Sequence, residues 1–394
     1  MHLSSREVFW NHIAPTSFSP LGIEISRAEG VYVFDTSGNR YIDFISGIAV
    51  SNLGHQHPKV KQAIIEQLNQ YAHIMVYGET IQHPQLEYAR LITQYLPKHL
   101  NCIYFVNSGS EAIEGAMKLA KGYTGRSEII SFEKAYHGST QGALSIMGDE
   151  FLKTKYRPLI PGNTILKYHD FSELEKITEH TAAVFVEPIR GEAGVQIPNT
   201  AYLQALRKRC DETGTLLVFD EIQTGFGRTG KLFAFEHFDV YPDILVLGKA
   251  MGGGLPIGAF VADKNIMQVF ARHPLGHLTT FGGNAVCVAA ALASLKVIVE
   301  ENLYDNACKI EQILKENLQH PEIKALRVKG AMAAVELENN DKAMKVIDKC
   351  LNKGLIVDWF LFASHCIRIA PPLIISEKNL REGVEILLQS LNDV

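Results

Sequence analysis

The sequence predicts an α/β fold, with a large domain built on a mostly parallel sheet and a smaller α+β domain. Three observations carry that expectation. Short, almost wholly apolar runs recur through the middle of the chain as CIYFVNSG, SEIISFE, AAVFVEP, LLVFDE and DILVLGK. Helix-spaced stretches alternate with them, and a run that is apolar throughout suits a strand covered on both faces. At 394 residues the chain exceeds one ordinary core, and its C-terminal part changes to a mixture of helices and short strands.

Taken in order, VYVFDTSGNRYIDF reads as a hairpin around a Ser-Gly-Asn turn. HPKVKQAIIEQLNQY and HPQLEYARLITQYL are helical by apolar spacing, each opened by a proline. SEAIEGAMKLAKGYTG and TAYLQALRKRCDETG are helices between strands, and GGNAVCVAAALASLKVIVEENL is a long helix. AMAAVEL, GLIVDWF and CIRIAP are the short strands that follow. The expected organisation is an N-terminal segment over 1–46 that joins the small domain, a large domain over 47–285, and a linking helix with the C-terminal small domain over 286–394.

Composition excludes several classes. A net charge of -5 gives no reason to expect binding to nucleic acid or an anionic membrane surface. No apolar run is long enough to span a bilayer, and MHLSSREVFWNH lacks the charged-then-apolar order of a signal peptide. Six scattered cysteines without CxxC spacing read as reduced, mostly buried thiols of a cytoplasmic protein, not a disulfide framework or metal site.

Ligands of such sheets sit beyond the carboxyl ends of the strands, and Asn107, Glu187, Asp220 and Lys249 all fall near such ends. Lys249 follows ILVLG and precedes a glycine cluster, a setting whose burial lowers a lysine's pKa and frees its amine. Asp220 ends LLVFD. A lysine that forms an imine with a carbonyl cofactor and an aspartate that holds a protonated pyridine nitrogen is the pairing that pyridoxal-phosphate chemistry needs. Singly, each has a plainer reading: a snorkelling lysine and a structural carboxylate.

Ser108, Gly109 and Ser110 stand at a strand-to-helix junction, where free N–H groups and the helix dipole favour a phosphate. The same residues also suit a simple N-cap. Gln223 lies close enough to Asp220 to reach a ring oxygen, and Tyr136 in KAYHGST could stack on the ring or be a rim aromatic. HLTTFGGN offers two hydroxyls for a second phosphate clamp or merely a turn. Arg368, in the apolar CIRIAPPL, needs an anionic partner: a substrate carboxylate or an internal ion pair. GFGRTGK (225–231) has P-loop spacing but is followed by Leu232 where Ser or Thr would hold magnesium. His55/His57 and His273/His277 lack the companions of a metal site, so no metal is expected.

NSGSEAIEGAMKLA, AYHGST, EPIRGEAGV, DEIQTGFGRTG, GKAMGGGLPIGA and TTFGGN occur in order. From about residue 46 to 373 the chain resembles the class-III pyridoxal-phosphate aminotransferases of fold type I, the acetylornithine, ornithine and 4-aminobutyrate family. The resemblance implies that Lys249 carries the cofactor and shuttles a proton, with Asp220 on the ring nitrogen, Gln223 on the ring oxygen and Tyr136 on its face. It implies further that Ser108, Gly109, Ser110 and His137 belong to the cofactor site, and that Thr280 of a second subunit completes the phosphate site in a homodimer. Glu192, Thr279 and Arg368 fall to the substrate, Arg368 binding its α-carboxylate and Glu192 pairing with Arg368 when an ω-amine reacts.

The implied activity moves an amino group from an ω-amino or basic amino acid to a 2-oxo acid such as 2-oxoglutarate. The alternatives are transamination of 4-aminobutyrate or another ω-amino acid, and, further off, a mutase, a decarboxylase or a non-catalytic binder of the cofactor. Many relatives have arginine where Ser139 stands, gripping a substrate carboxylate, and Arg190 is the candidate substitute.

Overall fold

The computed structural model describes residues 4–394. Among them, seven strands form the central sheet in the order Cys102–Val106, Gly258–Ala262, Ile244–Leu247, Leu216–Asp220, Thr181–Val186, Glu128–Phe132 and Asn163–Leu166. Gly258–Ala262 runs antiparallel to both neighbours, and the pairs from Ile244–Leu247 to the Asn163–Leu166 edge are parallel. The predicted architecture is therefore present.

All five apolar runs read from the sequence are strands. Two strands of the central sheet escaped that reading. Gly258–Ala262 follows the turns of a glycine cluster and itself opens on Gly-Ala, while Asn163–Leu166 is an edge strand that buries Leu166 alone. Neither stands out from its surroundings as an apolar run.

Helix Gly109–Thr124 lies on one face of the sheet and buries Ala112, Ile113, Ala116, Met117, Leu119 and Ala120. A Cβ on Gly115 would come within 2.3 Å of the Phe260 ring, so glycine there sets how closely helix and strand approach. The helix ends at Gly125 with φ 70°, a left-handed C-cap. Helices Pro58–Gln70 and His83–Ile92 both pack on the long helix Ala285–Glu300.

Two four-stranded sheets flank this layer. One joins Ile25–Glu29, Tyr32–Asp35 and Arg40–Asp43 to Leu355–Ile356, which pairs in parallel with Arg40–Asp43. The other is antiparallel: Ala325–Lys329, Met332–Glu336, Ala363–Ile369 and Asp358–Phe360. Hydrogen bonding thus ties the N-terminal hairpin to the C-terminal part of the chain.

The GFGRTGK stretch has a structural job. Arg228 is wholly buried and donates to the carbonyls of Ala331 (2.9 Å) and Pro371 (2.6 Å) and to Asn52 Oδ1. Burial pulls its pKa down to about 9. Arg228→Ala would leave three buried acceptors without that donor. Each such loss costs about 1–3 kcal/mol, so stability should fall by roughly 3 kcal/mol or more. Urea unfolding checks this, and an unchanged midpoint would contradict it.

Cysteine burial differs from expectation. All six are free, but Cys210, Cys350 and Cys366 are buried, Cys102 and Cys287 half-buried, and Cys308 exposed.

Candidate active site

The carboxyl edge of the central sheet gathers the ionisable residues. Asp220 is the last residue of its strand, Glu187 directly follows Thr181–Val186, and Lys249 comes two residues after Ile244–Leu247. They line one cavity of about 480 Å³ together with Gly109, Ser110, Tyr136, His137, Glu192 and Gln223. Most of the residues singled out in the sequence are thus brought together.

At the mouth of helix Gly109–Thr124, Ser108 is the N-cap, its Oγ accepting from Glu111 N at 3.2 Å. Ser108 is not on the cavity wall. Its hydroxyl serves a first-turn N–H. Gly109 lies on the wall, where a Cβ would meet Ile222 Cδ1 at 2.7 Å. Ser110 Oγ lies 2.8 Å from Thr140 Oγ1 and accepts from Thr140 N at 3.2 Å. Gly138 permits this contact, with φ 127° and no Cβ to strike Ser110.

Asp220 is buried and held at both oxygens. Oδ2 is 2.7 Å from His137 Nδ1, and Oδ1 accepts from Ile222 N at 3.0 Å. His137 Nε2 is buried without a partner. Lys249 opens a short 3-10 turn with φ 46°, a left-handed conformation that strains a non-glycine residue. Burial pulls its pKa below the usual lysine value; the Glu192 carboxylate opposes this, Arg368 reinforces it, and Asp220 opposes it in turn.

Glu187 had no role in the sequence reading beyond its place at a strand end. Its Oε1 accepts from Tyr136 N at 3.1 Å and its Oε2 from Gly191 N at 2.9 Å, bracing two loops of the wall. Burial pushes its pKa up to about 7, against the pull of His137 and with the push of Asp220. Gly191 lies four residues along its own loop, and only the fold brings Tyr136 to it. Tyr136 Oη in turn lies 3.2 Å from Ser139 Oγ.

Arg368 sits one layer behind the wall. It donates to Glu192 through two parallel bonds of 2.8 Å, and to the Trp359 carbonyl at 2.9 Å. Its Nε lies 3.0 Å from Asp358 Oδ1, close enough for an ion pair but out of line for a hydrogen bond. Burial alone would raise the Glu192 pKa, yet Arg368 holds it down at about 2; burial wins at Asp358, raised to about 6. Glu192 also accepts from Gln223 Nε2 at 3.0 Å. The sequence's demand for an anionic partner at Arg368 is met internally, by Glu192 on the cavity wall.

Three residues are elsewhere. Arg190 is buried away from the cavity, its Nη1 donating to the Glu133 carbonyl at 2.7 Å and its guanidinium stacked 4.0 Å from the Tyr168 ring centroid. It does not substitute for an arginine at Ser139. Thr279 Oγ1 accepts from Asn107 Nδ2 at 2.7 Å and lines a different cavity, with Tyr104 and Gly282. Thr280 is exposed. Within one chain, neither threonine reaches Lys249's cavity.

The histidine pairs serve structure: His55 bonds Asp43 at 2.8 Å, and His277 stacks on Phe270. Among the described residues, one group has metal-ligand spacing, Glu336, His365 and Cys366. The Arg327 guanidinium already bonds both Glu336 and Cys366 there.

An α/β sheet with this furnished edge is the architecture of a pyridoxal-phosphate-dependent transferase. The aminotransferase class-III profile matches residues 13–391, and the chain belongs to that family. It is 40% identical over 380 residues to an acetylornithine aminotransferase of Methanopyrus kandleri, covering 95% of this chain and 96% of that one. It is 36% identical over 391 residues to ornithine aminotransferase 1 of Staphylococcus aureus, again 95% and 96%. Among solved structures, the ornithine aminotransferase of Toxoplasma gondii, with partial occupancy of pyridoxal phosphate at its active site, matches at a TM-score of 0.90 and 30% identity, covering 98% of this chain and 93% of that one. The protein is a pyridoxal-phosphate-dependent transaminase acting on an amino acid and a 2-oxo acid.

Proposed function

We propose that the amino donor is an ω-amino or basic amino acid of the acetylornithine or ornithine type, and that the acceptor is a 2-oxo acid. The Glu192–Arg368 pair carries this reading. With the pair closed, the wall presents a neutralised arginine and admits an amine that has no carboxylate beside it. With Glu192 turned aside, Arg368 offers a two-pronged fork to an α-carboxylate. One pocket can then serve two unlike substrates in alternation. The names of the acetylornithine and ornithine aminotransferase relatives support the donor class.

The lining fits the cofactor: a glycine-lined helix N-terminus for an anion, a buried carboxylate fixed at both oxygens, and a lysine whose burial favours the free amine. Bound there, pyridoxal phosphate supplies the electron sink for charge developing at the substrate Cα and carries the amino group between substrates. Lys249 would take the proton from Cα and return it. Asp220, steadied by His137, would face the ring nitrogen; Tyr136 would cover the ring, and Gln223 would lie by its oxygen. Gly109 N–H and the Ser110 hydroxyl would hold the phosphate.

Thr279 and Thr280 would act across a homodimer, Thr280 on the phosphate and Thr279 at the substrate of the facing site. The exposed Ile74, Met75, Leu275, Leu278 and Phe281 support such a covered face. Cytoplasmic placement belongs to the same reading, supported by scattered free cysteines and by the lack, among the described residues, of a helix long and apolar enough to cross a membrane.

Single half-reactions with a panel of donors test the proposal: ω-amino and basic amino acids should bleach the yellow protein, and α-amino monocarboxylates should do so poorly. Glu192→Ala should shift the ratio of α- to ω-amine efficiency by at least about tenfold toward α-amines, because Arg368 is then left open. An unchanged ratio would remove the switch from the account.

A further inference from the structure

We propose that Asp358 is the resident counter-charge of Arg368, a positioning residue that receives the guanidinium when Glu192 turns aside. The inference rests on the alternation of Glu192 argued above. Strands Asp358–Phe360 and Ala363–Ile369 pair antiparallel, with Asp358 directly opposite Arg368. An opposite charge at a paired register position is held there by the ladder itself. Asp358 therefore travels with Arg368 on one sheet, whereas Glu192 reaches it from the loop after Thr181–Val186 of the central sheet.

The backbone and the side chain of Glu192 are held separately. Its carbonyl accepts from Phe362 N at 3.0 Å, which anchors the loop. Its carboxylate accepts from Arg368, from Gln223 Nε2 at 3.0 Å and from Leu361 N at 3.1 Å. The side chain can thus swing while the loop stays in place. That swing leaves Arg368, only 5% exposed, as a buried cation without its bonded carboxylate, a strongly disfavoured state.

Asp358 is placed to relieve it. Its Oδ1 lies 3.0 Å from Arg368 Nε, yet neither atom has a hydrogen-bond partner while Glu192 holds the guanidinium by Nη1 and Nη2. A contact made equally well in both states would shift no equilibrium. This one is out of line in the closed state. Released from Glu192, the guanidinium needs only a small rotation to align Nε–H with Asp358, and the bond so formed belongs to the open state. The Trp359 carbonyl at 2.9 Å and the Phe360 ring, its centroid 4.6 Å from the guanidinium carbon, belong to the same strand as Asp358 and limit that rotation. The places that Glu192 gave up on Nη1 and Nη2 are then open to a substrate carboxylate. Asp358 is not on the cavity wall, so it acts through Arg368.

Asp358→Asn keeps the shape and removes the charge. In single half-reactions the ratio of α- to ω-amine efficiency should fall roughly tenfold, the worth of one charge-assisted hydrogen bond, and opposite in direction to Glu192→Ala. A ratio does not depend on the fraction of protein that folds. Added to Glu192→Ala, the same substitution should no longer lower the ratio, since no pair remains to be opened. A merely structural support of Arg368 would lower it in both backgrounds.

Binding gives a readout apart from turnover. In a Trp10→Phe protein Trp359 is the remaining tryptophan, and its carbonyl is bonded to Arg368. Its fluorescence should report propionate binding roughly tenfold weaker in Asp358→Asn than in the parent. An unchanged ratio or unchanged propionate affinity in Asp358→Asn, beside a Glu192→Ala that does shift the ratio, overturns the counter-charge and leaves the alternation standing. An equal fall of the ratio in both backgrounds overturns it as well. If Glu192→Ala itself leaves the ratio unchanged, the alternation fails and the counter-charge fails with it.

Discussion

Lys249→Ala is expected to lower transamination by at least about 10⁴-fold, the combined loss of a covalent anchor and a general base. Three features concentrate the effect on this residue. It is the only lysine on the cavity wall among the described residues. Burial lowers its pKa, so its amine is available as nucleophile and base nearer neutral pH than an exposed lysine's. Its left-handed φ of 46° is strain that the fold retains at this strand end. Lys249→Arg should fare no better, because a guanidinium does not deprotonate in this range. Steady-state turnover with circular dichroism as a folding control measures the loss, and activity within tenfold of the parent would assign the chemistry to another group.

Asp220→Ala should cost about 10²–10³-fold in turnover, the range seen when one preorganised electrostatic contact is removed. The carboxylate is pinned at one oxygen by His137 Nδ1 and at the other by Ile222 N, so it needs no reorganisation when a cation comes against it. Truncation also strands His137, whose Nε2 already has no partner. Asp220→Asn separates the contributions, since it keeps the shape and removes the charge. Turnover and cofactor retention through gel filtration, compared across both variants, give the answer. Full activity in the Asn variant would mean that shape, not charge, is what Asp220 supplies.

Much of this site was legible because a parallel sheet buried on both faces writes its strands as unbroken apolar runs. The residue that ends such a run is then at the functional edge, which is how Asp220 and Lys249 stood out. Arg368 was legible for a related reason: an arginine inside an apolar strand has to find an anion, and Glu192 is that anion. Direction was not legible. Arg190 and Glu192 lie two residues apart around a tight loop, yet Glu192 faces the cavity and Arg190 faces Tyr168. Ser108 and Ser110 flank one glycine, and the first turn of the helix claims Ser108 as its cap while Ser110 reaches the wall. Glu187 shows the other limit. Its partner Gly191 N is local, four residues on, but Tyr136 N comes from a separate loop that only the folded sheet brings to it.

Borohydride reduction followed by peptide mass analysis bears most directly on the central claim that Lys249 holds the cofactor. Reduction should bleach the yellow protein and leave the added mass of the reduced cofactor on the peptide containing Lys249, in a one-to-one ratio with the chain. Added mass on a different lysine, or a protein that takes up pyridoxal phosphate and yet carries no fixed mass after reduction, would contradict it.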